Sequence, residues 1–275
     1  MKDVRLVKML PLSFLFLFLL AFTEPEPYDR FYTEVPLYWH DLVTPDMEKS
    51  ESFYNSVFGW EFRKIDVKGL QLATIYDGDR PIAGVIEVPE ANTSVWLKTV
   101  YVNNLENRVS KVKDQGGKVL LPPARVPGRG MQVVLEGVDG EEFALVGSGD
   151  MITGVAADNS SWAWSELWAE DPAKAREFYE TAFEVQTASV DYGNQPYWIF
   201  QKGTHKLAGM IKNPLTNQGT QWVPYVEVNS SETAVGKAEA AGGFIVLSPD
   251  AKIRDGKVGI FQDPMGAIIC VQHLN

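Results

Sequence analysis

Cysteine occurs once in this chain of 275 residues, histidine three times, and basic residues number 25 against 36 acidic ones. A lone Cys270 excludes an internal disulfide and any zinc or iron–sulfur site built on cysteines. The shortage of Lys and Arg leaves a formal net charge of -11. Such a chain lacks the cations that displace counterions from a phosphate backbone, so no nucleic-acid partner is expected. The N-terminal apolar run, Leu10 to Phe22, is 13 residues long and broken by Pro11 and Ser13. That is short of the roughly 20 residues a membrane-spanning helix needs. Lys2, Arg5 and Lys8 precede it, which is the order of a secretory signal, with Ala21-Phe22-Thr23 as the cleavage point. Residues 1–23 are therefore read as an export signal to the periplasm or exterior. An uncleaved N-terminal anchor is the alternative, and only in that form is a membrane a partner.

What the chain does have is apolar and aromatic mass, 45% and 12% of its residues with 8 Trp among them, enough for a sizeable core. It also repeats itself. DMEKSESFYNSVFGW, from Asp46 to Trp60, is matched 125 residues later by DPAKAREFYETAFEV, from Asp171 to Val185. Ile82-Ala83-Gly84-Val85-Ile86 falls on Leu207-Ala208-Gly209-Met210-Ile211 at the same offset. At an offset of 126, Trp96 falls on Trp222, Gly116-Gly117 on Gly242-Gly243 and Asp139-Gly140 on Met265-Gly266. This is one duplication. It divides the chain into a first module over residues 34–148, a linker over 149–160 and a second module over 161–274.

Each half opens with an aromatic-rich strand (LYWHDLV; WAWSELW) and a helix capped by Asp46 or Asp171, whose Phe53, Val57 and Phe58, or Phe178, Ala182 and Phe183, form one buried stripe. Alternating strands follow, then the AGVI or AGMI strand, and a further strand leads to a second helix ended by the Gly pair. Two last strands (MQVVLEG, EEFALV; VGIFQD, AIICVQ) close each half.

Two such halves, with FY-x-x-x-F after the capping Asp, resemble the vicinal-oxygen-chelate superfamily of glyoxalases, extradiol dioxygenases and bleomycin-resistance proteins. Trp39-His40-Asp41-Leu42 and Trp164-Ser165-Glu166-Leu167 look most like its tandem glyoxalase-related members. The resemblance implies an α+β fold, two tandem βαβββ modules whose sheets curl into half-barrels with the ligand on the concave face. It also implies where a metal would be held: by a His or Gln seven residues before the capping Asp, and by a Glu four residues after the Gly of the D-G or M-G turn. Those positions carry Trp39, Trp164, Ala144 and Cys270. Indoles, a methyl group and a single thiol do not coordinate a divalent cation, so no metal and no other cofactor is expected. A displaced site would have to use Asp41 and Glu166, because strand alternation turns His40 away from the concave face while His205 and His273 lie in a turn and near the C-terminus. Cys270 reads as a small buried hydrophobe.

Asp41 and Glu166 share the faces of Trp39 and Trp164. One reading makes them general acid/base groups whose pKa rises on desolvation. The other makes them architectural, tying down backbone or pairing with Arg63, Arg125 or another base. Trp39, Trp164, Trp168, Tyr76, Trp96, Tyr197 and Trp222 supply flat aromatic walls that suit a planar or hydrophobic small molecule, or else plain core packing. Arg125 and Arg129 stand where they could cover the first cleft. Three functions follow: a metal-free small-molecule binding protein, a metal-independent lyase or isomerase of glyoxalase type using Asp41 and Glu166, and an envelope interaction module without cleft chemistry. Oligomeric state is not legible.

Overall fold

The computed structural model describes residues 39–67, 70–126, 130–147, 161–192, 195–215 and 218–274. The N-terminal signal, the 149–160 linker and Arg129 lie outside them. Among the described residues no helix is long and apolar enough to cross a membrane.

The first half contributes β1 (Trp39–Thr44), α1 (Met47–Phe58), β2 (Glu61–Val67), β3 (Leu70–Asp77) and β4 (Arg80–Glu87), then β5 (Val95–Val102), α2 (Leu105–Asp114), β6 (Lys118–Val126), β7 (Gly130–Glu136) and β8 (Glu142–Gly147). The second half repeats the series as β9 (Trp162–Ala169), α3 (Pro172–Phe183), β10 (Gln186–Tyr192), β11 (Gln195–Lys202) and β12 (His205–Lys212), then β13 (Gln221–Glu227), α4 (Ser231–Ala240), β14 (Phe244–Leu247), β15 (Val258–Gln262) and β16 (Ile268–Gln272). Each half forms its own eight-stranded sheet, ordered β2-β3-β4-β1-β5-β8-β7-β6 and β10-β11-β12-β9-β13-β16-β15-β14. The fold is α+β, and each module is itself two βαβββ units. Within a unit the first and last strands pair in parallel, and the units join antiparallel through β1/β5 or β9/β13.

The local signals explain the elements. Asp46 and Asp171 cap α1 and α3 by accepting from Lys49 N and from Ala173 and Lys174 N. Asn104 and Ser230 do the same for α2 and α4. The sequence reading gave two strands after α2, and the structure has three. The extra strand, β6, carries Pro122 and Pro123, which would break the ladder of an inner strand but are tolerated because β6 is the sheet edge.

The modules pack with their convex faces inward and the helices between them. One core cluster joins Tyr54 and Val57 of α1 to Ala234 and Ala238 of α4, and another joins Val112 of α2 to Phe178 and Ala182 of α3. Each junction is clasped by the same chain of polar groups. At the first, the Trp96 indole donates to the Tyr54 hydroxyl at 2.9 Å, and Tyr54 donates across the junction to Asp263 at 3.1 Å. At the second, Trp222 donates to Tyr179 at 3.0 Å, and Tyr179 donates to Glu141 at 2.9 Å.

The two acids come from different positions of the repeat. Asp263 corresponds to Gly137, and Glu141 to Ala267. A Cβ on Gly137 would lie 2.0 Å from Glu141 Oε1, so the longer Glu reaches into the space that Asp263 fills in the other module. Asp263 Oδ1 accepts from the amides of Met265 and Ala267, and Glu141 Oε2 accepts from the amide of Asp139, the repeat equivalent of Met265. Burial pushes the carboxyls up, Glu141 to about 7 and Asp263 to about 6.

Two outcomes are expected. Gly137→Asp alone loses roughly 3 kcal/mol or more because it collides with Glu141 and buries a second acid. Gly137→Asp combined with Glu141→Ala, which installs the arrangement of the second module, recovers most of that loss in a double-mutant cycle read by urea denaturation. A carboxyl whose folded pKa lies above its unfolded value binds its proton more tightly when folded. Stability therefore falls as pH rises from about 4 through about 7 and then levels. The urea midpoint is expected to be higher at pH 5 than at pH 7.5, and Glu141→Gln with Asp263→Asn to shrink that difference. Some slope persists, since burial also raises Glu142 to about 7.

Candidate functional site

Strand alternation gives each sheet a concave face away from the junction. On the first, Trp39 and Asp41 of β1 share a face with Leu97 and Thr99 of β5 and Gln132 of β7. Asp41, 1% exposed, accepts from the Trp39 indole at 3.3 Å, Thr99 Oγ1 at 2.7 Å and Gln132 Nε2 at 3.2 Å. On the second, Glu166 accepts from the Trp168 indole at 2.9 Å and the Tyr225 hydroxyl at 2.6 Å. It also pairs with the Arg254 guanidinium at 3.1 Å. Tyr197 joins the network, receiving the Trp164 indole at 2.8 Å and facing the Glu166 charge, and its pKa is driven far up by burial and then by that charge. Gly209 underlies this pair: a Cβ there would lie 1.9 Å from the Tyr197 hydroxyl and 2.7 Å from the Trp164 nitrogen. Asp41 and Glu166 thus anchor separate networks, one per module.

Arg254, which sequence reasoning missed, comes from a 3-10 turn, Arg254–Gly256, in which Arg254 and Asp255 both have positive φ, 47° and 55°. Two adjacent non-glycine residues in that region cost about 1–2 kcal/mol each. The buried ion pair, with the guanidinium 5.6 Å from the Tyr225 ring and 5.9 Å from the Tyr197 ring, holds the turn there. Arg-Asp-Gly was readable as a turn, but not its passage over the concave face.

The other residues singled out fall in three places. Tyr76 lies under the Arg63 guanidinium, 3.8 Å from its ring. Arg125 stands opposite Met131 on the edge pair β6/β7. Trp96 and Trp222 occupy the convex faces, in the clasps already described. His40 also faces the junction, its Nε2 at 2.8 Å from Ser165 Oγ, which is its own repeat equivalent, and its ring 4.6 Å from Trp162. Burial, followed by the nearby Lys98 charge, holds its pKa well below the usual value, so the imidazole is neutral. Cys270 is fully buried with its thiol pKa pushed up by burial and then by Glu166. It is no thiolate ligand, and Ala144 and the two indoles offer no donor. Among the described residues no group of three His, Cys, Asp or Glu could hold a metal ion. The donor set does not fit a divalent cation.

An apolar cavity lies at the second junction. About 90 Å³ in volume, it is walled by Phe143, Tyr179, Phe200 and Trp222, with part-exposed Phe183 and Val185 at its mouth and Lys98 in its wall. Among the described residues the equivalent positions at the first junction leave no apolar gap; the cavity there, about 590 Å³, is largely polar and meets only Phe58, Trp60, Val226 and Glu227 of the equivalent set. There Trp60, in the place of Val185, packs against Trp96 and Trp162 with ring centroids 5.4–6.4 Å apart. An isopropyl group where the other half has an indole leaves the space open.

The family model described as Glyoxalase/Bleomycin resistance protein/Dioxygenase superfamily matches residues 37–145. The first module belongs to this superfamily, and the second repeats its fold. Its relatives include the "Putative glyoxylase CFP32" of Mycobacterium tuberculosis, 26% identical over 243 residues, covering 85% of this chain and 92% of that protein. The "Anthracycline biosynthesis protein DauV" of Streptomyces sp. (strain C5) is 25% identical over 86% of this chain and 92% of its own. The superfamily fold is also seen in the Mn(II)-bound glyoxalase from Novosphingobium aromaticivorans, at 14% identity and TM-score 0.60, over 87% of this chain and 82% of that one. Trp39, Trp164, Ala144 and Cys270 stand at the positions where the resemblance implies metal ligands.

Removing one partner of the Glu166–Arg254 pair is expected to cost about 3–5 kcal/mol, and removing both less than the two losses summed. Urea denaturation of Glu166→Gln, Arg254→Met and the double variant checks this.

Proposed function

We propose that this protein is a metal-independent member of the superfamily that binds a small hydrophobic or aromatic molecule, and that the cavity at the second junction receives it. The carrying observation is the asymmetry between the two junctions. The same aromatic clasp is filled by Trp60 at one and left open by Val185 at the other, with an almost wholly apolar wall. Close-packed interiors seldom leave such space, and a dry apolar void binds apolar guests. The names of relatives concerned with glyoxylase chemistry and anthracycline biosynthesis support a small organic ligand. The concave carboxylates fit the architectural role better than acid/base catalysis: Glu166 already holds two hydroxyl or indole donors and a guanidinium. Metal independence rests on Trp39, Trp164, Ala144 and Cys270.

Purified protein is expected to lose all Zn, Mn, Ni and Fe on dialysis while its ligand-induced rise in melting temperature persists; stoichiometric retained metal would contradict the reading. In a thermal-shift screen with small aromatic alcohols and hydrocarbons, binders raise the melting temperature by mass action. Val185→Phe is expected to raise the ligand-free value by filling space and to abolish the ligand-induced rise.

A further inference from the structure

Lys98 is the one ionisable amine in the wall of this cavity. It projects from the convex face of β5 between His40 on β1 and Phe143 on β8, its register neighbours on either side, with its ammonium 5.4 Å from the Trp222 ring of the second module. It is only 8% exposed. The equivalent position in the other module is Pro224, paired with Ser165 as Lys98 is paired with His40. The aromatic clasp of the first junction therefore has no amine in its wall, and the larger cavity there, lined by Lys237 together with Asp77, Arg80 and Glu227, is polar, whereas Lys98 stands in an apolar one.

We propose that Lys98 is a nucleophile that selects a carbonyl-bearing ligand for the junction cavity, condensing with an aldehyde or ketone whose apolar or aromatic end lies against Trp222 and Phe200. This rests on the cavity being the ligand site. The neutral amine attacks the carbonyl carbon through its nitrogen lone pair, and the C=O π pair moves to oxygen, which takes up a proton. The nitrogen, made cationic by the new C–N bond, loses one of its two protons to give the neutral carbinolamine, and its lone pair then expels the hydroxyl, after protonation, as water. Loss of the remaining N–H proton leaves a neutral imine. Amine plus carbonyl gives imine plus water, and nothing is oxidised or reduced.

Three features favour the step. Burial holds the Lys98 pKa down to about 8, so the nucleophilic form is present near neutral pH. The apolar wall penalises the ammonium and accepts the uncharged imine. His40, neutral and buried beside Lys98, has an Nδ1 without a hydrogen-bond partner, a group able to take up or hand on a proton during dehydration.

The test uses benzaldehyde with sodium cyanoborohydride, which reduces the imine to a stable amine, followed by intact mass and peptide mapping. The expected result is a single benzyl addition on Lys98, formed at least tenfold faster than on any other lysine, absent in Lys98→Met and suppressed in Val185→Phe. Benzyl alcohol, the same ring without the carbonyl, is run in parallel by thermal shift. A shift with benzyl alcohol but label scattered over surface lysines overturns the imine and leaves the cavity reading standing. No shift with benzyl alcohol and no Lys98 label overturns both. Lys98 labelling unchanged in Val185→Phe overturns the proposal that the cavity delivers the carbonyl.

Discussion

The structure depends on a hydrogen bond made twice, from a helix tyrosine of one module to a turn carboxyl of the other. Tyr54 reaches Asp263 and Tyr179 reaches Glu141, each receiving an indole nitrogen as it donates. A buried phenol without a partner is costly, and so is a buried carboxyl, so each module satisfies a group the other cannot bury alone. The two convex faces are thereby held at a fixed spacing, and the aromatic side chains around each tyrosine decide whether that spacing is filled. Trp60 fills the aromatic clasp of one junction and Val185 leaves that of the other open, which puts the candidate binding site under the control of a packing difference between two copies of one design.

The same constraint explains the concave faces. In the Mn(II)-bound glyoxalase the fold carries a metal. Here each face carries a buried carboxylate ringed by indole and hydroxyl donors, joined by the Gln132 amide on the first face and by the strained Arg254 turn on the second. Hydrogen bonds and an ion pair hold the strands that metal ligation could otherwise bridge. Under the proposed function, ligand binding shifts from the inside of each half-barrel to the seam between them.

Much of this architecture was legible because its signals are local. Asp46 and Asp171 announce helix starts, and the FY pair with its spaced Phe announces a buried stripe. The repeat doubles every such signal, so the α+β fold and the superfamily were readable. The placement of Trp96 and Trp222 was not, because aromatic content alone put them with Trp39. Period-two alternation from Leu97 or Val223 turns them to the other face. The exchange of Gly137 and Glu141 for Asp263 and Ala267 hid the clasp, since alignment sets each acid against a residue without one. Val185 against Trp60 looks like an ordinary apolar change, and only the packed junction shows the space it leaves. The β6 strand was masked by its prolines, which an edge position excuses.

The central claim, that the ligand site is the open junction and needs no metal, is tested most directly by methyl NMR of metal-stripped protein titrated with benzyl alcohol. Shifts confined to Val100, Val185, Leu207 and Ala208 and saturating without added divalent cation are the predicted result. Shifts centred instead on Val43, Leu97 or Ile268 of the concave faces, or a requirement for divalent cation, would contradict it.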